Sequence, residues 1–587
     1  MSGFFAWVHA GGRSADPAGV RRAALLAVGA AGVVRDTPRG LWAQGPRLEC
    51  PDAPAGVVGS GEVILVGSAR FDDRAGLRRE LGRQHPLGTL AGEGDDLTLA
   101  LRAYETWGEG FARWLAGDYA LVVDDAARER TVCARDAFGV RPLYYARLGD
   151  GLVCASTLSA VRHHPLVAAA LDEDWLRAFV RHGCSPDWTA SIWRDVRAVL
   201  PAHTMTFTRG HWAHREHWTL PEVAPVRRAD ARDAVDGFRA VLATAVRERL
   251  PHEALGIRLS GGLDSTSIAA LAREAAPTLP IHAVTAGYRS LIPDDEWDFA
   301  HGVAERLGMT HEPLWDDAPA ELTLLGEAAA RFPRPVDPGH ASSLAVNARL
   351  ASHARVAFYG EDGDALLHPP GLLGTLLTMP PGELAPSAGD WLSYWRHEGR
   401  RPWLGVDWRR RLLRLRHARA FDHGPFSWMR PGTPGRAAHF PERNAGRPRW
   451  PLLRGPAWPD LHELADPQFT GIPVETRWPL LDQRLLAFVA TLPSVPYLQQ
   501  KWILRQAVDG ALPDVVVRRP KTTVSGYDAA RAAQFRAAGF PRRRWSEVTR
   551  TFVDVDALER EFQHGMPQSV VASLRVIALD DWCGRNA

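Results

Sequence analysis

Short apolar runs broken by glycine and aspartate recur through the first part of the chain. Val63-Ile64-Leu65-Val66, Tyr119-Ala120-Leu121-Val122-Val123 and Thr131-Val132-Cys133-Ala134 are of this kind. Their length and spacing predict packed β-strands up to about residue 218. Leu97 to Trp107 has helical periodicity instead and is expected to cover a sheet. A polar, proline-containing stretch from Pro221 to Arg232 reads as a linker. Beyond it the pattern alternates. Helix (Ala234 to Leu250), strand (Leu255 to Leu259), loop, helix (Thr266 to Ala276) and strand (Ile281 to Ala286) come first. A helix (Phe299 to Leu307), a strand near Thr310 to Leu314, a helix (Ala341 to Ala354) and a strand (Val356 to Tyr359) follow. Such alternation implies a parallel sheet with helices on both faces, which binds ligands at the carboxyl ends of its strands. Gly424 to Pro459 is rich in Pro, Arg, Gly and Trp and predicts a long irregular excursion. Leu480 to Leu512 returns to helical patterning.

Composition narrows the function classes. The 587 residues suffice for two or more domains, and a net charge of +2 gives no electrostatic case for nucleic acid. Two arginine triplets, Arg409-Arg410-Arg411 and Arg542-Arg543-Arg544, read as solvated faces. The five cysteines are widely spaced, with no Cys-x-x-Cys pair, which suits reduced thiols and a cytoplasmic location and gives no support to zinc. No apolar run reaches membrane-spanning length, and the first residues lack the features of a signal peptide. Among the 70 basic residues only Lys501 and Lys521 are lysines. A lysine kept against such a bias offers a compact charge that reaches a phosphate in a way a planar guanidinium does not.

Two segments fall at carboxyl ends of predicted strands. Ser260-Gly261-Gly262-Leu263-Asp264-Ser265 is a strand-to-helix turn of small residues. There, backbone N–H groups can approach a pyrophosphate and the helix N-terminus favours its charge. Gly360-Glu361-Asp362-Gly363-Asp364 places three carboxylates past the next strand. Read alone it is an acidic turn capping a helix; beside a phosphate loop, Asp264 and Asp364 become candidate Mg²⁺ ligands. Lys521, in Arg518-Arg519-Pro520-Lys521-Thr522-Thr523, is a candidate to stabilise charge developing at an α-phosphate.

The first of these segments resembles the PP-loop of enzymes that split ATP between its α and β phosphates. Together the segments resemble the synthetase domain of the class B asparagine synthetases and their relatives, the β-lactam synthetases and lasso-peptide cyclases. Glu475-Thr476-Arg477-Trp478-Pro479-Leu480-Leu481-Asp482 and Lys501-Trp502-Ile503-Leu504-Arg505 match that family in order. By this resemblance Lys521, rather than Lys501, is the catalytic lysine. Ser260, Gly261, Gly262, Asp264, Ser265 and Gly360 would bind ATP, and Asp264 and Asp364 the Mg²⁺. Leu115 to Ala120 and Arg135 to Tyr145 resemble the family's glutaminase domain. Its cysteine nucleophile is replaced by Ser2, and its Asn-Gly-Glu glutamine clamp by Ser68-Ala69-Arg70.

The resemblance implies an α+β glutaminase-like domain of the Ntn-hydrolase type (1–218), stripped of its nucleophile, and a linker (219–233). A parallel-sheet α/β PP-loop synthetase domain (234–587) completes the chain. With no ammonia made from glutamine, the amine is expected to come from the substrate. A long Pro/Arg/Trp-rich insertion, 22 tryptophans and Arg334-Pro335-Val336-Asp337-Pro338 tilt the expectation to a lasso cyclase. Such an enzyme adenylates an Asp or Glu side chain of a precursor peptide, and the peptide's N-terminal amine then captures it, with Glu361 orienting or deprotonating that amine. Leader-binding and protease proteins are the expected partners. A β-lactam synthetase-like cyclase and an ammonia-dependent asparagine synthetase remain the alternatives.

Overall fold

The computed structural model describes residues 3–9, 16–48, 56–84, 95–208, 211–220, 231–326, 331–367, 457–519, 526–539, 543–565 and 567–586, with isolated positions between 389 and 430. The irregular excursion expected over 424–459, Ser2 and Lys521 therefore lie almost or wholly outside the described residues.

The N-terminal domain is two six-stranded antiparallel sheets. One runs β10 (Val196–Ala198), β8 (Tyr144–Arg147), β9 (Gly151–Ala155), β1 (Phe4–His9), β3 (Gly40–Gln44), β2 (Val33–Thr37). The other runs β12 (His211–Glu216), β11 (His203–Thr208), β7 (Arg130–Arg135), β6 (Gly117–Asp125), β5 (Val63–Phe71), β4 (Val58–Ser60). Alternation along the strands sends one set of side chains between the sheets. Phe4, Ala6, Val8 and Trp42 meet Val66, Ala120, Val122 and Cys133 there. The opposite faces carry helices. Tyr119, Leu121 and Val123 pack under α2 (Arg74–Gln84) and α3 (Asp96–Trp107), and Phe5, Ala43 and Val153 under α1 (Pro17–Val28), α4 (Leu158–Arg162) and α5 (Glu173–His182).

The second domain has a five-stranded parallel sheet, β15 (Thr310–Trp315), β14 (Ile281–Gly287), β13 (Leu255–Arg258), β16 (Val356–Phe358), β17 (Glu475–Arg477). Helices α6 (Ala231–Arg247), α7 (Leu263–Ala275), α8 (Glu296–Arg306) and α9 (Ala341–Ala351) lie among its connections. The fold is thus an α+β domain built on two antiparallel sheets followed by an α/β domain built on a parallel sheet, as the sequence predicts.

Three differences have physical causes. α7 begins at Leu263 and α8 at Glu296, three residues before their apolar patterns, because the first turns hold Asp264 and Glu296. Acidic groups suit a helix N-terminus but hide it from a hydrophobic-period reading. Arg232, read as linker, lies within α6. The terminal helices, Tyr527–Ala538 and Glu547–Phe552 through Pro567–Asn586, share a core with the N-terminal domain, where Trp582 and Trp193 have ring centroids 5.6 Å apart.

The four described cysteines are free thiols. Among the described residues no helix is long and apolar enough to cross a membrane. Arg543 is not on a solvated face: it pairs with Asp580 and Asp581 and lies over Trp545, its guanidinium carbon 4.9 Å from the ring centroid.

Candidate active site

The PP-loop is held by its two serines. The Ser260 N–H donates to Ser265 Oγ (3.0 Å), the two hydroxyls lie 2.9 Å apart, and Ser265 Oγ donates back to the Ser260 carbonyl (3.1 Å). The turn is thereby closed on itself, and α7 starts at its end with Gly262 as an N-cap that offers no side chain. The helix thus opens towards the cleft with its first N–H groups pointing out.

Glycine is required where two loops meet. A Cβ on Gly360 would come within 2.8 Å of the Ser265 nitrogen, and one on Gly363 within 2.3 Å of the Asp264 carboxyl carbon. The acidic loop therefore lies directly on the PP-loop. Parallel pairing of β13 with β16 brings them there, because both loops leave the same end of adjacent strands.

The three acids behave differently. Glu361 pairs with Arg258 (2.5 Å), whose guanidinium also donates to Ser343 Oγ (3.0 Å). Asp362 is fully buried, and among the described residues neither of its carboxyl oxygens has a hydrogen-bond partner. Burial, reinforced by Glu361, Asp264 and Asp118, pushes its carboxyl well above the usual range and favours the neutral form. Asp364 sits in the first turn of α10 (Gly363–Leu366) and faces Asp264 across one ammonium, that of Lys501. The Lys501 Nζ contacts Asp264 Oδ2 and lies 2.6 Å from Asp364 Oδ1. Burial works against the charge on Lys501, but the two carboxylates outweigh it and raise its pKa.

The structure thus brings together Ser260, Gly261, Gly262, Asp264, Ser265, Gly360, Glu361 and Asp364, and adds Lys501. Motif order favoured Lys521 over Lys501; scarcity of lysine is the signal that marked both. Arg519, two positions before Lys521 in sequence, donates to the Gly261 carbonyl (3.2 Å), pairs with Asp295 (2.5 Å) and lies over Phe299. The Arg334 to Pro338 segment does not enter the site. Arg334 pairs with Asp460 (2.5 Å) and Glu463 (2.7 Å), and Asp337 with Arg575 (2.6 Å). Glu463 also bonds Tyr144 of the N-terminal domain.

An ammonium seated between two carboxylates is a stand-in for a cation. The donor set, two carboxylates beside open backbone N–H groups, suits Mg²⁺, which takes few protein oxygens and completes its shell with water and phosphate. Among the described residues no group of three or more potential ligands forms a self-sufficient metal site.

In the N-terminal domain the clamp position is filled. Arg70 pairs with Asp118 (2.8 Å) and Asp72 (2.7 Å). Asp72 pairs with Arg249 (2.8 Å), just past α6, and Arg249 with Asp482 (2.9 Å). Nearby, Arg141 pairs with Glu475 of β17 (2.7 Å). Although burial raises Asp118, Arg70 and Arg249 hold it down at about 2. Charge runs from one domain into the other with each member buried.

The family model for asparagine synthase matches residues 237–582, and that for a glutamine amidotransferase domain matches 74–218. A Bacillus subtilis protein named asparagine synthetase [glutamine-hydrolyzing] 3 is 24% identical over 444 residues, 73% of this chain and 70% of its own length. A putative asparagine synthetase [glutamine-hydrolyzing] of Mycobacterium bovis is 26% identical over 509 residues, 78% of this chain and 74% of its own. With one family matched over more than half of its length, the chain belongs to the asparagine synthase family and is an ATP-dependent carbon–nitrogen ligase.

Proposed function

We propose that the protein closes a macrolactam in a ribosomally made precursor peptide. The convergence of the PP-loop, two carboxylates and a lysine at one strand end carries the adenylation half of this reading. A peptide Asp or Glu carboxylate attacks the α-phosphorus of ATP, and pyrophosphate leaves as the acyl-adenylate forms. The peptide's N-terminal amine then attacks the acyl carbon, AMP departs with the carboxyl oxygen it gained, and the amine's proton is lost to base. A magnesium ion on Asp264 and Asp364 would neutralise polyphosphate charge. Ser260, Gly261, Gly262, Ser265 and Gly360 cradle the phosphates, and Lys521 stabilises charge in both steps. Glu361, anchored by Arg258 at the cleft, orients the amine.

The intramolecular amine is supported by what has replaced the glutamine chemistry: serine at position 2, and at the clamp Arg70, locked by Asp72 and Asp118. The functional division is 1–218 as scaffold and 234–587 as synthetase, joined by 219–233. The setting is cytoplasmic, with leader-binding and protease partners and neither nucleic acid nor membrane. Holding both peptide ends together is then the enzyme's larger task, because ring closure is chiefly an entropic problem.

The test is product analysis with the full chain and a candidate precursor. AMP and pyrophosphate are expected only when the matching peptide is present, together with the loss of one water from its mass. ADP formation, or ring closure without ATP, overturns the reading. The relatives' names favour a second one, asparagine formation; with the glutamine chemistry replaced, it would draw on aspartate and free ammonia. Asparagine appearing with ammonia and no peptide selects it; a small β-amino acid cyclised instead selects a β-lactam synthetase-like enzyme.

A further inference from the structure

Lys501 reaches the cleft by an unusual backbone. Gln500 (φ 49°, ψ 33°) and Lys501 (φ 59°, ψ 37°) are consecutive non-glycine residues in the left-handed region, the only adjacent pair among the described residues. Neither side chain favours that conformation, so the surroundings must impose it. Arg505 does so. Its Nε donates to the Gln500 carbonyl (2.8 Å), while its two terminal nitrogens donate to the carbonyls of Val517 and Arg519. Behind the turn Gln499 is buried, and the Ile503 N–H donates to the Tyr497 carbonyl (3.0 Å). One guanidinium thus ties the turn to Val517 and Arg519, and Arg519 itself holds the PP-loop.

The turn delivers an ammonium to the place where a divalent cation would find its two protein oxygens. Asp264 and Asp364 together carry two negative charges, and Lys501 returns one positive charge to them at contact distance. A dication on the same oxygens would meet the ammonium at ion-pair range, and like charges so close repel strongly in a part-buried cleft. Lys501 and the cation therefore exclude one another from this spot. The displaced ammonium needs another anion nearby, and polyphosphate is the anion the PP-loop is built to receive.

We propose that Lys501 is a built-in competitor for the divalent cation. It neutralises Asp264 and Asp364 in the nucleotide-free protein and is exchanged for the metal only when polyphosphate arrives to take the ammonium. The protein then binds the cation weakly alone and tightly with phosphate, so metal and nucleotide enter as one event. This rests on the reading of Asp264 and Asp364 as the cation's ligands.

The experiment follows free Mn²⁺ by electron paramagnetic resonance, with the full-length chain, with and without pyrophosphate. Wild type is expected to bind Mn²⁺ at least tenfold more tightly when pyrophosphate is present. Lys501→Met is expected to bind Mn²⁺ alone at least tenfold better than wild type and to lose most of the pyrophosphate enhancement. Lys501→Gln, which keeps a polar end, serves the same purpose if the methionine variant does not fold. Asp264→Asn separates the two ideas. If it abolishes pyrophosphate-dependent Mn²⁺ binding while neither Lys501 variant gains affinity for Mn²⁺ alone, the ligands are right and the competition is overturned. If Asp264→Asn leaves that binding intact, the ligand reading falls, and the competition with it.

Discussion

Two dense clusters of charge, one across the boundary between the domains and one in the synthetase cleft, are built on opposite principles. Across the domain boundary Arg70, Asp72, Asp118, Arg249, Asp482 and Arg484 compensate one another by fixed contacts of 2.7 to 2.9 Å between rigid elements. In the synthetase cleft, Asp264 and Asp364 share one lysine on a flexible stem, where glycines let the two loops touch. The first cluster is compensated by arginines held in the fold; the second is offset in part by a lysine that can be exchanged. Charge density alone does not mark a site. What marks it is whether the compensation comes from the fold or is left for a ligand to supply.

Exchanging the charges in each cluster sharpens that contrast. Asp264→Asn should lower turnover by about a thousandfold or more, roughly 4 kcal/mol of transition-state stabilisation. Its melting temperature should stay near wild type, because Asp364 still pairs with Lys501. Steady-state AMP release and a thermal melt on the same preparation check this. A large loss of stability with little loss of turnover would make Asp264 a structural residue.

Arg249→Met should do the reverse. It takes one partner from Asp72 and one from Asp482, both nearly fully buried, leaving them Arg70 and Arg484 alone, and losing a buried partner in this way costs up to about 3 kcal/mol. The variant should unfold at lower urea concentration, while whatever remains folded keeps its nucleotide affinity. If Arg249→Met is as stable as wild type, the lattice between the domains contributes nothing.

Much of the synthetase site is legible in the sequence, because strand, glycine turn and helix succeed one another locally and periodicity reports each. The first turns of α7 and α8 escape that reading, since their polar residues serve the helix end and not the core. Lys501 escapes for a different reason: its position depends on two left-handed residues and on Arg505 reaching three carbonyls, and none of this leaves a pattern in one strand of sequence. The substitution of Arg70 for a clamp glutamate is visible as a loss. That it became the start of an ion lattice into Arg249 and Asp482 is not, because those partners lie far along the chain. The packing of the terminal helices on the N-terminal sheets is equally hidden, since an apolar stripe does not name the surface it will cover.

The smallest effect concerns pH, and it tests whether the domain interface is as closed as its contacts imply. His462, in helix Ala457–Leu464, is buried against Trp478, with ring centroids 5.0 Å apart, and burial, then Arg135, pushes its pKa down to about 3. The folded state keeps this imidazole neutral where the unfolded chain would protonate it. Its contribution to stability is complete above pH 6.5 and is lost as the pH falls towards 3. Asp136 and Asp466 act with the opposite sign. Burial, then the neighbouring Asp118 charge, lifts Asp136 to about 6, and burial lifts Asp466 to about 6. Both therefore favour the folded state more as the pH falls through 6 towards 4. In wild type these trends partly cancel. His462→Phe removes one of them, so the difference in unfolding free energy between variant and wild type should shift in the variant's favour by about 1.4 kcal/mol per pH unit below 6.5, or roughly 2 kcal/mol between pH 7 and pH 5. Urea titrations of both proteins across that interval measure it. A difference independent of pH would mean that the folded protein lets water and a proton reach His462, and that the interface is open where its charges say it is shut.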